Sequence, residues 1–87
     1  MIIGHIVGNV WATRKETSLN GLKLMIVQRV DPVSKERLDC FVAADCVGAG
    51  RGENVLVATG SSARMALENS NSSVDAAIIG IIDEVKV

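Results

Sequence analysis

Residues 41–64 read FVAADCVGAGRGENVLVATGSSAR, and this stretch decides the fold. Residues 41–47 are apolar and rich in β-formers, as are residues 55–59. Between them Gly48, Gly50 and Gly52 fall within five positions. Glycine at that density marks backbone with positive φ, or backbone that another group must approach closely. The reading is strand, glycine turn, strand, then a second turn at Gly60 and one to two helical turns over residues 60–68, with Ser61 or Ser62 as N-cap.

Working outward, residues 69–73 read as a polar, low-complexity loop, expected to be mobile. Residues 74–82 make a strand apolar on both faces, which residues 83–87 extend. Upstream, the strand that reaches Val47 starts at Leu38. It follows a charged hairpin loop over residues 31–37, with Pro32 preset for the second turn position. Residues 22–30 alternate, Leu22, Leu24, Ile26 and Val30 on one face and Lys23, Met25, Val27 and Arg29 on the other. Asn20-Gly21 signals a tight turn, and residues 14–19 are a polar connection. The first strand covers residues 2–13. Its Gly4 and Gly8, four apart on one face, leave space for a bend or a neighbouring backbone.

Eighty-seven residues make one domain, spanning 1–87. Five strands, one short helix and short connections predict a mostly-β protein, a small closed or nearly closed five-stranded barrel without free sheet edges. A chain this short buries only about 60–65% of its unfolded surface. Yet 48% of the residues are hydrophobic, more than one small core can hide. A ligand cavity or a partner must cover the remainder. Aliphatic side chains on both parities of the first, third and fifth strands favour self-association over a cavity.

The formal net charge of −1 and two aromatics, Trp11 and Phe41, count against nucleic acid, which needs a basic footprint and stacking platforms. No run approaches the ~20 apolar residues of a membrane span, and the start lacks the basic and apolar regions of a signal peptide. Cys40 and Cys46 lie roughly 20 Å apart along one strand, too far to bridge; they read as reduced, buried thiols of a cytosolic protein.

No enzyme site assembles from these residues. After Gly52 come Glu53 and Asn54 where a P-loop needs lysine and a hydroxyl, and Glu53 also takes the sixth position of a dinucleotide fingerprint. The single histidine, His5, sits within a strand, where a satisfied hydrogen bond suits it better than a catalytic role. His5, Cys40, Asp45 and Cys46 lack the paired spacing of a metal site, so neither metal nor cofactor is expected. For Asp45, Glu53 and Arg64 two readings stand, solvated edge charges or pairing across a subunit boundary.

Four segments together resemble one family: GHIVGNVWATRK (4–15), SLNGLKL (18–24), ADCVGAGRGENVLVATGSSAR (44–64) and VDAAIIGIID (74–83). They are similar to the EutN/CcmL family, the pentameric vertex proteins of bacterial microcompartment shells, over nearly the whole chain. Asn54 departs from the pattern, since an aromatic is common there. The resemblance implies an OB-like barrel assembled as a cyclic homopentamer. Such a ring caps the five-fold vertices of a shell in the bacterial cytoplasm, among hexameric shell proteins that tile its facets. It further implies that Gly48, Ala49, Gly50, Arg51 and Gly52 line or flank the axial opening, and that Glu53, Ser61, Ser62 and Arg64 contact the next subunit. Arg14 and Lys15 face solvent or a neighbouring shell protein. The competing class is an OB-type module binding a small ligand or nucleic acid.

Overall fold

The structure, a computed structural model, describes residues 1–12, 21–68 and 73–87. Its elements run β1 (Ile2–Val10), β2 (Leu24–Val30), β3 (Arg37–Asp45), β4 (Asn54–Thr59), α1 (Ser61–Ala66) and β5 (Ala76–Ile81). The strands close into a barrel in the order β1-β2-β3-β5-β4, the OB-like arrangement expected. Every neighbouring pair is antiparallel except β3 and β5, which meet in parallel at Ala44↔Ala77 and Asp45↔Ile78. That short parallel seam closes the cylinder and leaves no long edge for stray strand pairing.

The core is narrow and aliphatic. Ile6, Val27, Val55, Val57 and Ile78 are fully buried, Met25 and Ala43 lie beside them, and Ile2 and Phe41 pack partly against the cluster. Small residues are needed where the cylinder pinches. A methyl group on Gly4 would run into Cγ1 of Val27 and the backbone of Gln28, so this glycine is fixed by packing.

Two bulges reset the alternation. β1 carries Val7 as an extra residue between the pairs Ile6↔Val27 and Gly8↔Ile26. The extra residue turns Gly8 to the outer face that Ile26 occupies, while Gly4 points inward; the two glycines do not share a face as their spacing suggests. β5 likewise shifts between its pairings with Leu56 and Val57, leaving Ile79 unmatched.

β2 alternates as expected, and its buried side chains are Met25 and Val27, whereas Leu24, Ile26 and Val30 are half-exposed. The more aliphatic parity thus faces outward. Cys40 and Cys46 are free and exposed, not buried, because Cys40 shares the outward parity of Val42. β1 ends at Val10, β5 begins at Ala76, and residues 83–87 do not extend it. The expected turn residue Asn20, the connection 14–19 and most of the polar loop 69–73 lie outside the described residues.

Candidate functional site

Residues 45–53 cross the end of the barrel from β3 to β4 and are locked from within. Asp45 Oδ1 accepts the backbone N–H of Val47 (3.0 Å) and Gly48 (3.1 Å). Its side chain is only 2% exposed, and Oδ2 lies 3.9 Å from Lys23 Nζ. Lys23 Nζ also donates to the carbonyl of Ala49 at 3.3 Å, while the Ala49 methyl enters the core. Across the turn, Glu53 Oε1 accepts the Gly50 N–H at 2.6 Å. The far limb pairs with β1, Gly52 N–H donating to the Ile6 carbonyl (2.9 Å) and Ile6 N–H to that of Glu53 (3.0 Å).

This wiring decides what the turn can do. An anion cradle needs free, converging N–H groups, but those of Gly48, Gly50 and Gly52 are all bonded to the protein's own oxygens. A phosphate would also meet the Asp45 and Glu53 carboxylates. The glycines answer to backbone geometry: Gly48 and Gly52 have φ of 76° and 92°, and a methyl group on either would find no atom within 4 Å. Arg51 stands exposed at the tip. Asp45 and Glu53 therefore act as staples of the turn, each carboxylate accepting backbone N–H groups of the turn itself. Lys23 joins them without having been singled out from the sequence. The available signal was weak: Lys23 shares the parity of Met25 and Val27, but its side chain is 58% exposed and needs no partner on burial grounds.

The thiol of Cys46 borders the same turn, and its pKa is raised by partial burial first and by the Asp45 charge second. His5 Nδ1 lies 2.9 Å from Asn54 Oδ1, the satisfied strand histidine expected. Among the described residues no three His, Cys, Asp or Glu side chains come together as a metal site.

Serine does not cap α1. Gly60, with φ of 63°, is the N-cap and makes no side-chain bond. Its carbonyl instead accepts N–H from Ala63 and Arg64, and its own N–H binds Asp75 ahead of β5. Ser61 and Ser62 are exposed, Arg64 half-buried, and Ala63 anchors the helix in the interior. The structure therefore separates the expected contact residues. Glu53 sits with the glycine turn before β4, whereas Ser61, Ser62 and Arg64 follow it, about 20 Å away along a six-residue strand. Arg14 and Lys15 lie outside the described residues.

Near the start of β4 lies an open groove of about 290 Å³ with an apolar floor that includes Ile3, Val30, Ile82 and Val85. Its charged lining comes from two segments, Asp31, Lys35 and Arg37 from the β2–β3 hairpin and the start of β3, and Asp83 and Glu84 from the residues after β5. Asp31, at the hairpin, accepts N–H from Val33 and Ser34 at 2.9 Å each. Those donors, Ser34 foremost, hold its carboxyl below the usual range.

The chain thus combines a closed barrel, an internally stapled turn and exposed hydrophobic side chains such as Trp11, Val42 and Met65. The profile described as "Ethanolamine utilisation protein EutN/carboxysome" matches residues 1–83. The chain belongs to the EutN/CcmL family. It is 42% identical over 86 residues to the bacterial microcompartment shell vertex protein GrpN of Rhodospirillum rubrum, covering 99% of this chain and 97% of that one. It is 45% identical over 87 residues to the carboxysome shell vertex protein CcmL of Synechococcus elongatus, covering 100% and 88%. The solved GrpN pentameric microcompartment shell protein from R. rubrum superimposes with a TM-score of 0.88 at 41% identity, over 100% of this chain and 99% of that one.

Proposed function

We propose that this EutN/CcmL-family chain is the vertex subunit of a bacterial microcompartment shell, five copies closing a ring that caps a five-fold corner in the bacterial cytoplasm. The observation that carries this reading is the end-to-end agreement with a pentameric shell protein at 41% identity. The exposed aliphatic parity of β2 and β3 supports it, because a ring gives Leu24, Ile26 and Val42 something to cover them. Hexameric shell proteins are the expected neighbours, and Arg14 and Lys15 are candidates for that contact.

The role is geometric, with no catalysis: a five-fold unit among six-fold tiles introduces the curvature that closes a shell. The stapled turn carrying Gly48, Ala49, Gly50, Arg51 and Gly52 is the candidate for the ring's axis, where its own hydrogen bonds keep its shape. Glu53, Ser61, Ser62 and Arg64 are candidates for contact with adjacent subunits. Native mass spectrometry at low micromolar concentration tests the reading. A dominant five-subunit species is expected. A stable monomer overturns it in favour of an OB-type binding module, and a six-subunit ring removes the vertex role.

A further inference from the structure

Two exposed features complement one another and cannot meet within one copy. The first is Met65 on α1, 78% exposed on a helix otherwise anchored through Ala63. Arg64 precedes it and Glu68 follows, and among the described residues neither has an ion-pair partner. The second is the groove at the start of β4, lined by the apolar Ile3, Val30, Ile82 and Val85, by Asp31, Lys35 and Arg37 from the hairpin side of the chain, and by Asp83 and Glu84 from the segment after β5. At about 290 Å³ it lies at the small end of ligand clefts and suits a single inserted side chain. α1 follows Thr59 and packs near Asp75, whereas the groove contains Asn54 and Ile82, so the two features sit at opposite ends of β4 and β5. Six extended residues hold them about 20 Å apart.

We propose that Met65 of one copy seats in the groove of the next copy, with Arg64 facing Asp83 and Glu84 and Glu68 facing Lys35 and Arg37. The inference rests on the ring reading and names its contact. A head-to-tail ring needs two different patches on each subunit, and these are different and distant, and each carries charges of both signs that the other can pair. A flexible thioether adapts to an irregular apolar floor, and the flanking charges set its orientation. The contact also gives the segment after β5 a role, since Glu84 and Val85 both line the groove.

A charge-exchange cycle tests it. Wild type, Arg64→Glu, Glu84→Arg and the double variant are compared by native mass spectrometry across a dilution series, with circular dichroism to check folding. Each single variant is expected to need at least roughly tenfold more protein to form the ring, and the double variant to regain most of that loss. If the wild type is a ring and the singles assemble like it, or the double is no better than the worse single, the contact is wrong while the ring stands. A monomeric wild type overturns both. Should a charge variant fail to fold, Met65→Cys with Val85→Cys in a chain carrying Cys40→Ser and Cys46→Ser gives the second readout. Oxidation is expected to link separate subunits into a ladder; monomer alone on a denaturing gel, from an assembled sample, overturns the contact.

Discussion

At the scale of single residues, the glycines of this chain serve two different physical ends. Gly52 stands at φ 92° with open space around it, so a side chain there is penalised by torsion alone. Gly52→Ala is expected to cost about 1–2 kcal/mol, and Gly52→Asn less, because asparagine tolerates left-handed backbone. Gly4 has the reverse problem, ordinary torsion and a collision with Val27. Gly4→Ala is expected to cost about 1–3 kcal/mol, and Val27→Ala in the same chain to cost less than it does alone, since it clears the clash. Urea unfolding of these variants beside the parent checks both; equal costs for Gly52→Ala and Gly52→Asn would show that torsion is not what fixes that site. Asp31 supplies a pH dependence whose sign follows from its depressed pKa. The carboxylate form is favoured by folding, so its contribution is present above the unfolded value near ~3.9. It is lost as pH falls through the lower folded value. Amide exchange at Val33 and Ser34 should therefore quicken, beyond the intrinsic trend, only below about pH 4, and Asp31→Asn should remove that step.

At the scale of elements, α1 separates what a sequence motif suggests from what backbone geometry uses. Ser61 and Ser62 have the right chemistry for a cap, yet Gly60 takes the cap position at φ 63° and its carbonyl receives the first helical N–H groups. Ser61→Ala and Ser62→Ala are thus expected to change subunit stability by less than about 0.5 kcal/mol, whereas Gly60→Ala should cost about 1–2 kcal/mol; thermal melts of the three variants decide. The same contrast explains what could be read beforehand. The five strands, the short helix and the glycine turn were legible because apolar runs and glycine spacing are local signals. The inward parity of β2 was not. Alternation of period two gives two faces without saying which is inside, and here the more aliphatic one, Leu24, Ile26 and Val30, points outward. The Val7 bulge, which parts Gly4 from Gly8, has no marker in composition either. Of the site, the glycine turn was legible and its staples were not. Asp45 and Glu53 look like surface charges until the chain's path brings backbone N–H groups to them.

At the scale of the whole molecule, the isolated subunit leaves large hydrophobic side chains uncovered, with Trp11 at 90%, Met65 at 78% and Val42 at 48% exposure. Its core is correspondingly thin, a column of valines, isoleucines and alanines with few large side chains. A chain so built gains much of its stability by covering its exterior, and if copies of itself do the covering, mass action must be visible in the melt. When unfolding is coupled to dissociation of a five-membered ring, each tenfold increase in concentration should raise Tm by roughly 4–8 °C. A single-chain barrel melts at the same temperature at every dilution. Differential scanning fluorimetry from about 1 to 100 μM spans enough of the range to tell the two apart. Arg64→Glu sharpens the comparison: losing a subunit contact lowers Tm at every concentration where wild type is assembled, yet the two chains should converge at dilutions where both are monomeric. Convergence would locate the effect of Arg64 between subunits. A constant offset down to the monomer would place it inside the barrel and leave the ring to be held by other residues.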